Sequence, residues 1–189
     1  MKLLDELKSI LKPSPKMPVL FVGHGNPMNA IDENSFVQGF RNVSQKLARP
    51  QAIICVSAHW FTRGTKVTAV SKPKTIHDFY GFPKELYREE YPAPGFPGLA
   101  SVTKDILAPN PVHLDHDWGF DHGTWTILKH MFPEADIPVI QLSIDYSKPP
   151  EFHFKLSQQL AQLRDYGVLI IGSGNIVHNL GLVDFSKLN

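Results

Sequence analysis

Histidines placed just past apolar runs are the residues of this sequence best suited to chemistry. The stretch VLFVGHGNPMNA (19–30) ends a β-branched run on Gly23 and then His24, and AIICVSAHWFTRG (52–64) does the same with Ala58 and His59. A third apolar run, GVLIIGSGN (167–175), is followed by His178. In α/β sheets, ligands bind beyond the carboxyl ends of the strands, so three imidazoles delivered there can converge on one metal ion. Far apart in sequence, they lack the local geometry of a His-Glu-x-x-His helix, and only the fold can bring them together. A strand-end histidine is also an ordinary place for a hydrogen-bonded structural side chain, which is the competing reading of each.

Other residues invite weaker readings. His122 stands in WGFDHGTW, between Asp121 and Gly123. Either Asp121 caps a helix beginning near Thr124, or His122 is a catalytic, substrate-contacting imidazole with Gly123 letting a ligand approach closely. His77, in TIHDFYGFP, belongs to an aromatic loop core or to a lid over the site. His113, His116, His130 and His153 have no pattern around them and read as surface or helix-face residues. Ser57 could be a nucleophile beside His59, but the strand is expected to turn them to opposite faces, and no G-x-S-x-G elbow is present. GSGN (172–175) lacks the remainder of a phosphate-binding loop. Arg63 and Lys66 are candidates to meet a substrate carboxylate.

The elements that must position these groups follow from hydrophobic periodicity. Residues 2–12 place Leu3, Leu4, Leu7, Ile10 and Leu11 on one helical face, and Pro13, Pro15 and Pro18 end it. Residues 1–17 thus read as an amphipathic helix and a proline-rich linker, and 18–189 as one catalytic domain. Strands are expected at 18–22, 52–58, 66–70, near Val112, and at 137–144 and 167–175. Helices are expected at about 33–48, 97–108, 123–132 and 149–166, the last opened by prolines. Strands alternating with helices, several apolar on both faces, define an α/β fold: one domain with a largely parallel or mixed central sheet, helices on both sides, and the metal site at the carboxyl ends of the strands.

The composition agrees with one folded domain and excludes several partners. The 189 residues are 42% hydrophobic and 20% charged, with a formal net charge of +1. No basic stripe or acidic tail is present, so neither nucleic acid nor a membrane surface is an expected partner. The single cysteine, Cys55, rules out a disulfide within the chain and reads as a small buried hydrophobe. The N-terminus MKLLDELKSILK is not expected to be a signal peptide, and no segment reaches the ~20 apolar residues of a membrane span. A cytoplasmic protein is expected.

Seven blocks in order, LFVGHGNPMN, PQAIICVSAHWFTRGTKVTA, TIHDFYGFPKELY, YPAPG, WGFDHGTW, PVIQLSID and GSGNIVHNL, resemble the class III extradiol ring-cleavage dioxygenases, in particular the DOPA-cleaving branch. The resemblance runs from about Pro18 to the end of the chain. It implies one divalent metal per chain, iron(II) for activity and zinc(II) as a bound or substituted ion. It further implies a small catechol such as L-DOPA, opened by O2 to a muconate semialdehyde. By the same resemblance His24, His59 and His178 are metal ligands, and His122 and His178 are the catalytic histidines. An open-faced iron(II) can hold both catechol oxygens and still accept O2, and a neutral imidazole can take a catechol proton and return it.

The family continues past the position where this sequence stops, with a further histidine in an HY context. A truncated chain is therefore expected, with apolar surface left uncovered, existing as a monomer or self-associated through that surface. Asp184 is the one acid in the tail that could replace the missing ligand, a surface aspartate being the ordinary reading. Two alternatives accompany the dioxygenase: a zinc-dependent hydrolase using the same imidazoles on water, and a non-catalytic relative that keeps part of the site.

Overall fold

The runs rich in Val, Ile and Leu pair into one six-stranded sheet, as β-branched side chains favour. A computed structural model describes residues 2–177. Its strands are β1 Val19–Val22, β2 Ala52–Thr62, β3 Thr65–Thr68, β4 Val112–Asp115, β5 Val139–Asp145 and β6 Val168–Ser173. They lie in the order β1-β6-β2-β5-β3-β4. Pairing is parallel except between β3 and β5, so the sheet is mixed. The short β2–β3 connection through Gly64, which has a φ of +80°, is what lets β3 run back against β5.

Helices cover both faces. On one side lie α1 Lys2–Ile10, α3 Pro97–Ile106 and α5 Pro150–Gln159, with α1 packed on α3. Leu7, Leu99, Leu107 and Leu156 meet Ile54, Ile140 and Ile170 of the sheet there. On the other side lie α2 Ser35–Ser44 and α4 His122–Met131, packed on each other, over Ile53, Cys55, Leu169 and Ile171. The alternation of Ile53 and Cys55 against Ile54 along β2 is the strand's period of two, buried on both sides because both sides carry helices. The expected last helix divides into α5 and a 3-10 turn, Leu160–Tyr166, closed by Gly167 in the left-handed region at φ +72°.

β2 outruns its expected end. The strand continues to Thr62, but its register with β5 breaks between Val56 and Phe61, so the intervening residues face only Ser143. Such a bulge re-aims side chains at a sheet's rim. His59 therefore sits inside a bulged strand, where the sequence pattern placed it just past a shorter one. Along the β1 edge, Val19 and Phe21 are exposed and, with exposed Phe154 of α5, leave an apolar strip. Among the described residues no helix is long and apolar enough to cross a membrane.

Candidate metal centre

Strand register explains how His24 and His59 meet. β6 lies between β1 and β2, and Ser173 is level with Val22 on one side and Ser57 on the other. His24 and His59 each follow that common row by two residues, one on each flank of β6. Their Nε2 atoms lie 3.1 Å apart. His24 is held by a local frame: Gly25, at φ +70°, turns the chain, and its N–H donates to Asn175 Oδ1 at 3.0 Å. Asn29 Nδ2 donates to the His24 carbonyl at 3.0 Å from a 3-10 turn, Pro27–Ala30, that Asn26 caps.

His122 joins the pair from the start of α4. Asp121 caps this helix, its side chain accepting from the Thr124 N–H at 3.1 Å. The His122 ring lies 3.9 Å from that of His59 and 5.5 Å from that of His24, centroid to centroid. One ligand atom from each of the three falls within 4.8 Å of the others. His24 and His122 are buried and His59 half-buried. His178 and Asp184 lie outside the described residues.

Two aspartates hold this cluster. Asp121, fully buried, accepts from Ser57 Oγ at 2.6 Å and from Gln141 Nε2 at 2.7 Å. Burial pushes its carboxyl above the ordinary range, against those bonds. Asp78 approaches from the loop after β3. Its Oδ1 accepts the His122 backbone N–H at 2.8 Å and lies 3.0 Å from His122 Nδ1, while its Oδ2 lies 3.4 Å from His59 Nδ1. Burial works against the charge of Asp78, but the neighbouring His122 outweighs it, and the carboxyl is held below its usual range.

The donor set suits a divalent metal. Ser173 Oγ donates its only proton to the Gly123 carbonyl, so towards His24 Nδ1, at 3.0 Å, it can only accept. His24 thus carries its proton on Nδ1 and points an Nε2 lone pair at His59. Metal–nitrogen bonds of about 2.0–2.1 Å put two ligand nitrogens roughly 3.0–3.4 Å apart, and the His24–His59 separation lies in that range. His122 stands beside this pair, where an imidazole can exchange a proton with a ligand.

Several expectations change in detail. Ser57 and His59, two residues apart, share a face, and the His59 N–H donates to Ser57 Oγ at 3.2 Å. Ser57 is no nucleophile for another reason: its hydroxyl is committed to Asp121. Gly123 leaves room for the protein's own side chains, since a Cβ there would lie 2.6 Å from Ser57 Oγ and 2.9 Å from His59 Cδ2. Lys66 is engaged by Asp115 at 2.8 Å, at the far side of the sheet. His77 belongs to the aromatic loop, its Nε2 2.9 Å from the Glu89 carbonyl and its ring against Phe79 and Trp125. His113 and His116 are exposed, and His130 and His153 are partly buried on α4 and α5, bound to the carbonyls of Asn29 and Asp145. Asp78 escaped the sequence pattern. Its position directly after His77, within an aromatic block, was the one available signal.

A mixed α/β sheet with imidazoles gathered at the carboxyl ends of β1 and β2 defines a candidate metalloprotein of the α/β class. The chain belongs to the family of the catalytic LigB subunit of aromatic ring-opening dioxygenases, whose model matches residues 14–183. It is 54% identical over 178 residues to the 4,5-DOPA dioxygenase extradiol of Escherichia coli K12, covering 94% of this chain and 66% of that protein. To the 4,5-DOPA dioxygenase extradiol of Beta vulgaris it is 46% identical over 166 residues, 84% of this chain and 61% of the relative. The chain therefore spans less than two thirds of the length of these relatives. The crystal structure of an uncharacterized Escherichia coli K12 protein superposes with a TM-score of 0.77 at 50% identity, over 90% of this chain and 64% of that one. The family carries a catalytic metal, and the histidine cluster is a place for one.

Proposed function

We propose that this chain carries the metal site of an extradiol dioxygenase that opens a catechol such as L-DOPA with O2, giving a muconate semialdehyde. The observation that carries the proposal is the pair of Nε2 atoms of His24 and His59 facing each other at 3.1 Å. An Nε2 lone pair on His24 aimed at a second imidazole nitrogen calls for a cation or a proton between them. His24 and His59 would hold the metal, with His178 the third ligand on the family resemblance. Iron(II), when bound, would hold catechol and O2 together and supply the electron transfer between them; zinc fits the same nitrogens but has no redox chemistry.

The chain's own residues do the rest. His122 Nε2 takes the proton of a catechol hydroxyl and later returns it to the oxygen of the opened ring. Phe79 packs edge-on against His122, with 5.7 Å between centroids, and shields that side of the ring from water. The bond from Ser173 to Gly123 ties the start of α4 to β6 and so keeps His122 beside His24. A reducing, cytoplasmic compartment suits an iron(II) site and is part of the same proposal.

Oxygen uptake tests this function. Iron(II)-reconstituted chain is expected to consume O2 on addition of L-DOPA and to form a yellow ring-opened product. Zinc-loaded chain and the His59→Ala variant are expected to do neither. Absence of uptake by the iron-loaded chain overturns the dioxygenase, and O2-independent turnover with zinc points to the hydrolase instead.

A further inference from the structure

The peptide group joining His24 to Gly25 is gripped at both of its polar atoms. Its carbonyl accepts from Asn29 Nδ2 at 3.0 Å, and its N–H donates to Asn175 Oδ1 at 3.0 Å. We propose that Asn29 and Asn175 are positioning residues that lock this peptide plane from opposite edges and so hold the His24 imidazole in place. The proposal rests on the metal-site reading for its purpose, but not for its geometry.

The residue after His24 explains why a lock is needed. Gly25 sits at φ +70°, and a glycine accepts either sign of φ with little cost, so the plane before it turns easily. Turning that plane changes ψ of His24 and, with it, the course of the chain that carries the ring. Two hydrogen bonds on opposite edges of one planar group remove this freedom. The glycine is itself required by the lock, since a Cβ at position 25 would lie 2.7 Å from Asn29 Nδ2.

Each amide is oriented by its other partners. Asn34 Oδ1 accepts from the N–H groups of Phe36 and Val37 at the start of α2, so its Nδ2 donates to Asn29 Oδ1, at 2.9 Å. Asn29, which is buried, is thereby left with its Nδ2 towards the His24 carbonyl. His130 Nε2 of α4 lies 2.6 Å from the Asn29 carbonyl and fixes the backbone of the same residue. Asn175 follows β6, so its grip joins the His24 loop to the far end of the chain, 150 residues on from Gly25. Its Nδ2 also reaches the Gly25 carbonyl, at 3.4 Å. Partners that orient a metal-binding imidazole are worth about 10–100-fold in affinity.

The discriminating variants are Asn175→Leu and Asn175→Asp, made in the full chain, with Asn29→Leu beside them. Leucine removes the acceptor that Gly25 needs, whereas aspartate keeps it in nearly the same shape. In the metal-free protein, Gly25 amide exchange is expected to quicken about 3–10-fold in Asn175→Leu and to stay slow in Asn175→Asp. The ring signals of His24 in NMR spectra are expected to shift or double in both leucine variants and to match wild type in Asn175→Asp. Zinc affinity, measured by competition, is expected to fall about 10–100-fold in both leucine variants and to be retained in Asn175→Asp. Should the buried Asn29→Leu fail to fold, the Asn175 pair carries the test alone.

Unchanged His24 ring signals and zinc affinity in a folded Asn175→Leu chain overturn the proposal, even where its stability has dropped. Equal losses in Asn175→Leu and Asn175→Asp overturn it too, because the acceptor would then not be what matters. A wild-type chain that binds no zinc removes the metal-site reading, and the Gly25 and His24 signals then decide the lock by themselves.

Discussion

Asp121 meets the imidazole cluster from the start of α4, whereas Asp78 reaches it from the loop after β3. Asp121 is bonded by a serine hydroxyl, a glutamine amide and a helix N–H, none of which titrates near neutral pH. Its partners come from β2, β5 and α4, and the carboxylate ties those elements together. Asp78 is partly exposed, and besides the backbone N–H groups of His122 and of Asp78 itself it faces two imidazole nitrogens. The same side chain thus ties elements together in one place and lies against imidazole rings in the other. The difference lies in what each carboxylate has been given to bind.

Gly123 stands between the two systems, and changing it should give the largest effect. A methyl group there would press on Ser57, the donor to Asp121, and on His59, the neighbour of Asp78. Displacing a ring by about 1 Å costs on the order of 10²-fold in rate. Gly123→Ala is therefore expected to lower ring opening about 100-fold in the iron-loaded chain while remaining folded by circular dichroism. Near-normal turnover would mean that the imidazoles are less tightly placed than these distances require.

Removing each carboxylate separates scaffold from site. Asp121→Ala strands the Ser57 hydroxyl and the Gln141 amide in the interior and removes the side-chain cap of α4, and is expected to cost about 3 kcal/mol or more in urea denaturation. Asp78→Asn is expected to cost under about 1 kcal/mol, because Asp78 is partly exposed and asparagine keeps an acceptor oxygen for the His122 N–H. Equal losses of stability in the two variants would erase the distinction.

A third carboxylate, distant from the cluster, supplies the smallest effect and a control. Burial disfavours the charge of Asp115, but hydrogen bonds from Lys66 and from the N–H groups of Trp118 and Asp117 outweigh it and hold its carboxyl below the usual range. A lowered folded-state value means stability that is present above the ordinary carboxylate pKa and lost as pH falls through the folded one. Lys66 is partly exposed, so the contribution is at most about 1 kcal/mol. Asp115→Asn should flatten the acid side of the stability profile without changing metal affinity.

Much of this arrangement was legible in the residues. Strands β2, β5 and β6 declared themselves because their side chains are apolar in both directions, as a sheet covered on both faces demands, and β1 reads the same way although its Val19 and Phe21 are exposed. His24 and His59 stood out because each closes such a run after a small residue. The register row joining Val22, Ser173 and Ser57 was not legible, since pairing depends on neighbours that the chain reaches only much later. The bulge that carries His59 within β2 looks in sequence like a strand that has ended. The reversal of β3 against β5 follows from the short turn at Gly64 and from no hydrophobic pattern. Asp78 was missed because its partners lie on β2 and α4, and a loop aspartate carries no periodicity. His122 was legible as an alternative, and the structure holds both features: Asp121 caps α4, and His122 stands beside His24 and His59.

The most direct test of the metal site is anomalous diffraction at the metal edge from crystals of the iron- or zinc-loaded chain. One peak per chain is predicted, with Nε2 of His24 and of His59 each at about 2.1 Å from it and His122 adjacent. No peak between those two nitrogens, or a metal held by other residues, would contradict the account.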